Sequence, residues 1–74
     1  MAVDGKAIRH KMIDLGINSI TELSEKSGVN RNTVAEVLDG KIRPSTSTMD
    51  KLYRALEMTP EEGGRIFFGQ KLTQ

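Results

Sequence analysis

The chain has 74 residues, a formal net charge of +1 and no cysteine. A chain this short forms one small domain with little room for a deep active-site cleft, and without cysteine it has neither disulfides nor thiolate metal sites. No apolar run approaches the ~20 residues that cross a bilayer. We therefore expect a cytoplasmic protein with one domain over residues 1–74, of which 69–74 form a loose tail. We expect no enzymatic activity, small-molecule substrate, metal or cofactor.

The first predicted helix runs from about Asp4, its N-cap, to Leu15, and Gly16 ends it. Its core-facing side chains recur at helical spacing: Ala7, Ile8, Met12 and Leu15. The only histidine, His10, has no second ligand and no nucleophile near it in the pattern. It is predicted to be a solvated surface residue.

The segment from Ser19 to Gly40 predicts two short helices joined by a tight glycine turn. Ser19 is a good N-cap for the second helix, and Glu22 three residues later completes a capping box that satisfies two otherwise orphan amides. Gly28 supplies a left-handed residue that ends this helix. Ser24 is small enough to let another helix approach closely.

The third predicted helix begins at its N-cap, Asn30, and has an apolar and a mostly polar side. The two sides consist of Val34, Val37 and Leu38, and of Arg31, Asn32, Ala35 and Glu36. The second and third helices therefore have the plan of a helix-turn-helix, in which a small polar-faced helix is held out on a two-helix platform.

Two more helices complete a predicted all-α fold, a compact bundle of about five short helices. The fourth begins after Pro44 with Ser45 as N-cap, and the fifth begins with a capping box over residues 59–62. The inner side chains of the fourth are Met49, Leu52, Tyr53 and Leu56. Gly63 and Gly64 each cost about 1 kcal/mol in a helix interior, so the length of the fifth helix stays open.

Residues 5–62 resemble the lambda-repressor-like family of helix-turn-helix proteins, which includes the phage Cro and repressor proteins and the Xre-type regulators. The family spacing is met by Ser24, Gly28, Val34, Val37 and Gly40, and GKIRP is similar to its connector after the third helix. The resemblance implies a homodimer that binds a palindromic operator in double-stranded DNA and represses transcription. The alternative is an antitoxin-like or other protein-binding module that binds DNA secondarily.

The resemblance also implies which side chains contact DNA. The first turn of the third helix enters the major groove, so Arg31, Asn32 and, one turn later, Glu36 are expected at base edges. These side chains suit guanine, adenine and cytosine, respectively. Phosphate contacts are expected from Ser19, Thr33, Lys41 and Arg43. The alternative for each residue is an ordinary solvated side chain.

The resemblance places the two-fold contact of the dimer on the fifth helix. If that helix continues past its glycines, Ile66, Phe67 and Phe68 span about 200° of its circumference, whereas a core-facing stripe is about 100° wide. At least one of the three must then face away from the core. These three residues are the predicted dimer interface.

Two features depart from the family pattern, and the net charge departs from DNA-binding domains in general. Many members have a glutamine at the start of the second helix, where this chain has Ile20. Many also have a buried arginine–glutamate pair, and the matching residues here are Met12 and Leu38, whose apolar contact can replace such a pair at little cost. The net charge of +1 is far below the basic footprint of many DNA-binding domains.

Overall fold

Five helices form the protein in a computed structural model that describes residues 3–69. They are α1 (Gly5–Asp14), α2 (Ile20–Ser27), α3 (Arg31–Leu38), α4 (Thr46–Ala55) and α5 (Pro60–Phe68). Residues 3–69 contain no strand, and the predicted all-α fold is confirmed. Each predicted N-cap is found in place: Asp4, Ser19, Asn30, Ser45 and Thr59. Of the predicted tail, Gly69 is the C-cap of α5, and 70–74 lie outside the described residues.

The capping boxes of α2 and α5 differ. In α5 the Thr59 hydroxyl accepts from the Glu62 amide at 3.1 Å, and the Glu62 carboxylate accepts from the Thr59 amide at 2.8 Å. In α2 the Ser19 hydroxyl accepts from the Glu22 amide at 3.1 Å, but the Glu22 carboxylate accepts from the amide of Asn18. The predicted reciprocal box at Ser19 is therefore wrong in one bond. The φ of Ser19 is −154° compared with −79° at Thr59, so its amide points in a different direction.

Helices α1, α3 and α4 end in the same way. A left-handed residue follows each helix, and its own amide and the next amide both donate to carbonyl groups of the last turn. At the end of α3, Gly40 has a φ of +72° and its amide donates to Val37 O, while the Lys41 amide donates to Glu36 O. Gly16 does the same after α1, and Glu57 does so after α4. The connector after α3 therefore leaves that helix in a fixed direction.

The fifth helix continues through both glycines to Phe68. Gly63 is buried against Tyr53, and a Cβ atom at Gly63 would lie 2.9 Å from Cδ1 and from Cε1 of the Tyr53 ring. A larger residue here would therefore force the Tyr53 ring to shift. From the sequence, only the unfavourable helix propensity of Gly63 could be predicted.

The core is apolar throughout the described residues, which contain no buried polar or charged side chain. Met12 and Leu38, the residues predicted to replace the family's buried ion pair, both lie in it. Ile20 packs against it and is half-buried. The buried hydrophobic residues of the helices are Ile8, Met12, Leu23, Val34, Val37, Leu38, Leu52, Ala55, Ile66 and Phe67, and those of the connecting segments are Val3, Ile17, Val29, Leu56 and Met58.

Two polar contacts fasten α5 to α1. The Lys11 ammonium lies 3.1 and 3.2 Å from the two carboxylate oxygens of Glu62, and the Asp4 amide donates to Ile66 O at 2.9 Å. The Thr59 amide and then the Lys11 ammonium hold the pKa of Glu62 below its ordinary value, because both stabilise the carboxylate. These contacts set the position of α5 and of the residues at its end.

Candidate nucleic-acid interface

The turn between α2 and α3 is closed by hydroxyl groups as well as by its glycine. Gly28 has a φ of +76°, as the sequence predicts for a left-handed residue, and its amide donates to Ser24 O at 2.8 Å. The Ser24 hydroxyl donates to Val29 O at 2.5 Å, and the Val29 amide donates to the Ser27 hydroxyl at 3.2 Å. Ser24 therefore fixes the turn by a hydrogen bond. From the sequence, only the close approach of another helix to this small residue was predicted.

Helix α3 packs against α2 and α1, which together support its inner side. Its side chains Val34 and Val37 are buried against that platform, whereas Arg31, Asn32 and Glu36 are exposed on the other side. An α-helix with its side chains is about 10–12 Å in diameter, and the major groove of B-DNA is about 12 Å wide. The helix therefore has the dimensions and the support of an element that enters that groove.

The three predicted base-contacting side chains are free of competing partners. Within residues 3–69, Arg31, Asn32 and Glu36 form no ion pair, and the hydrogen bond made at the N-terminus of α3 joins the Asn30 side chain to the Asn32 backbone amide. Asn32 thus keeps its side-chain amide for a ligand. Glu36 likewise has no ion-pair partner within residues 3–69 and keeps its carboxylate for a ligand.

The predicted phosphate donors lie at the start of α2, in the first turn of α3 and in the connector after α3. Ser19 is exposed, and because its hydroxyl oxygen accepts from Glu22 N–H, its own O–H can still donate outward. Thr33 is half-buried in the first turn of α3. Lys41 and Arg43 are exposed in the connector, and the Arg43 guanidinium carbon lies 5.4 Å from the centroid of the Phe68 ring.

The predicted dimer residues separate into two kinds. Ile66 is 1% exposed and Phe67 2%, whereas Phe68 is 44% exposed. The prediction that at least one of the three faces away from the core is confirmed. Ile66 and Phe67 complete this subunit's own core and have almost no exposed surface to offer a partner, so the predicted dimer contact is reduced to Phe68.

Open depressions on the described surface include one on α1 and a larger one between α4 and α5. The larger, of about 360 Å³, lies between α4 and α5, and Met49, Tyr53, Phe67 and Phe68 are among its lining residues. The smaller, of about 190 Å³, is lined on α1 by Lys6, Arg9, His10 and Ile13. Residues 3–69 bring together no group of three metal-ligating side chains. None of the five helices is long and apolar enough to cross a membrane.

A short helix with a polar outer face, held by a second helix across a left-handed glycine turn, defines a helix-turn-helix protein. The model of the Cro/C1-type helix-turn-helix DNA-binding domain matches residues 7–62, and the chain belongs to this family. Comparison with curated proteins and with solved structures gives no match. The protein is therefore a DNA-binding domain of a type that regulates transcription. The matched range contains every predicted DNA contact and ends before Phe68.

Proposed function

We propose that the protein is a sequence-specific repressor that reads the major groove of double-stranded DNA with α3. The observation that carries this proposal is the outer face of α3, where Arg31, Asn32 and Glu36 are exposed and unpaired within the described chain while Val34 and Val37 anchor the helix from below. A rigidly supported helix presents its side chains to base edges in one register, which sequence discrimination requires.

Each polar group has a chemical counterpart in the groove. The Arg31 guanidinium can bind O6 and N7 of guanine, the Asn32 amide can bind N6 and N7 of adenine, and the Glu36 carboxylate can accept from N4 of cytosine. Ser19, Thr33, Lys41 and Arg43 then hold the phosphates that flank the groove. Repression needs no further chemistry, since a protein bound at its operator occludes polymerase.

Selection of binding sites from random duplexes tests this function. We expect one enriched motif, with affinity that falls as salt rises because phosphate contacts release counterions. A selection that enriches no motif would contradict sequence-specific binding and favour the protein-binding alternative.

Replacing Arg31 or Asn32 with alanine is expected to weaken binding to the selected site by about 1–3 kcal/mol, because each removes one bidentate base contact. The loss should be confined to duplexes that carry the preferred base, so that preference relaxes at one base pair of each half-site. Titration of a panel of single-base variants measures this. A loss of equal size on every duplex would reassign the residue to a phosphate.

Replacing Lys41 or Arg43 with glutamine is expected to flatten the dependence of log affinity on log salt by about one unit for each residue. The sequence preference should stay as in the parent, because phosphates carry no base identity. Lys26→Gln in α2 removes the same charge at an exposed position outside the predicted interface and serves as the control. If the salt dependence of the variant equals that of the parent, the residue does not contact a phosphate.

The homodimer that we propose uses Phe68 and the groove between α4 and α5. Phe68 is exposed and lines the groove together with Met49 and Tyr53, so its ring and the groove form one continuous apolar surface. In a two-fold dimer the same surface serves both subunits, and this one ring can contact the groove of its partner. A palindromic operator follows from that symmetry, with half-sites about 34 Å apart.

Phe68→Ser is expected to shift the protein toward monomer in sedimentation and to weaken binding to the palindrome more than to a single half-site. Ile13→Ser is the control, because Ile13 is a large apolar residue on α1 that is 73% exposed and lies away from the groove. Phe67→Ser is unsuitable, since Phe67 belongs to the core. If Phe68→Ser sediments as the parent does and binds the palindrome equally well, the dimer interface lies elsewhere.

A further inference from the structure

A cation–π contact joins the connector after α3 to the end of α5. The guanidinium carbon of Arg43 lies 5.4 Å from the centroid of the Phe68 ring, within the distance of about 6 Å at which the ring attracts a cation. The two residues are remote in sequence, and Phe68 lies outside the range that matches the family. Within residues 3–69, Arg43 forms no ion pair with a carboxylate. In this part of the chain, the guanidinium of Arg43 therefore contacts the Phe68 ring and no carboxylate.

Both members of the contact stand on rigid supports. Arg43 lies between Ile42, which packs against the core, and Pro44, which is buried. Phe68 follows Ile66 and Phe67, both fully packed in the core. The backbone is thus fixed at both Arg43 and Phe68. The cation–π contact therefore limits the freedom of the long Arg43 side chain itself.

We propose that Phe68 is a positioning residue, whose ring holds the Arg43 guanidinium in place for a phosphate of the DNA backbone. This inference rests on the proposed function. The five N–H donors of a guanidinium lie in its own plane, so those that do not point at the aromatic ring stay free for another partner. Those donors are the groups that bind a phosphate in bidentate fashion, so one guanidinium can make both contacts.

The benefit of the ring is preorganisation. An arginine that is free in solution loses rotamer freedom when it binds a phosphate, and a contact that already restricts it reduces this loss. Lys41, two residues earlier in the same connector, has no such aromatic partner in the described structure. The two connector cations therefore differ in how their side chains are held, although both are exposed.

The test is a double-mutant cycle on a single half-site duplex, where subunit pairing does not enter. Phe68→Leu removes the ring and keeps an apolar side chain of similar bulk. We expect it to weaken binding about two- to fivefold in the parent, the strength of an exposed cation–π contact. It should have no effect in the Arg43→Gln background and its full effect in the matched Lys41→Gln background. Phe68→Leu should leave the salt slope unchanged, because the cation remains.

A second measurement needs no DNA. In the free protein, the ring current of Phe68 should displace the NMR signals of the Arg43 side chain, and Phe68→Leu should return them to ordinary positions. Absence of this displacement in the parent, or an equal loss of affinity in the Arg43→Gln background, would overturn the inference and leave the proposed function intact. A parent protein that binds no duplex would overturn both.

Discussion

Replacing Gly5 with alanine is expected to destabilise the domain by about 3 kcal/mol, although the same exchange in an ordinary helix stabilises it by up to about 1 kcal/mol. The sign is reversed because α1 begins against the end of α3. A Cβ atom at Gly5 would lie 2.9 Å from the carbonyl carbon of Leu38 and closer still to its oxygen. Both are backbone atoms, so the clash is relieved only if one of the two helices moves.

Urea denaturation of Gly5→Ala measures this loss. A domain of this size is stable by about 4–11 kcal/mol, so 3 kcal/mol is a large share of the total. Lys6→Ala in the same turn is the control, because Lys6 is exposed and its change should stay within about 0.5 kcal/mol. Equal stability of Gly5→Ala and the parent would contradict the close approach of α1 to α3.

Replacing Gly28 with valine is expected to cost about 2 kcal/mol for a different reason. A Cβ atom at Gly28 would meet nothing within 4 Å, so space is not the obstacle. The obstacle is the φ of +76°, which strains any L-residue and a β-branched one most. The affinity for DNA should fall with the stability, because this turn sets the angle of α3.

Gly28→Asn separates the backbone effect from a general sensitivity of the turn. Asparagine tolerates the left-handed region better than other side chains, so it should lose much less stability than valine when both are unfolded in urea. If the Gly28→Val variant is as stable as the parent, the left-handed residue of the turn has been assigned to the wrong position.

These two glycines show what the sequence can and cannot reveal. Gly28 was predictable because a helix that ends, a polar cap and a new apolar stripe all lie within a few residues of it. The requirement for glycine at Gly5 comes from the backbone of Leu38, and the tight contact at Gly63 comes from the ring of Tyr53, each on another helix. Such contacts depend on how whole helices pack, which a local pattern does not encode.

The same division holds for the candidate site. The position of Arg31 and Asn32 on the outer face of α3 follows from helical spacing alone, and the structure agrees with it. Spacing also predicted that one of the last three residues of α5 faces outward, but it did not say which. The contact between Phe68 and Arg43 could not be inferred, because it needs the path of the connector and the end of α5 together.

The wholly apolar core makes this domain a convenient subject for binding thermodynamics. No charged side chain is buried among residues 3–69, and the ion pairs in this part of the chain are exposed or half-buried, so each contributes little to the free energy of unfolding that salt could remove. Titrations over a wide range of ionic strength should therefore change the free energy of binding while the free energy of unfolding changes little. A salt slope measured for this protein then counts ions displaced from DNA, with little correction for changes in the folded population.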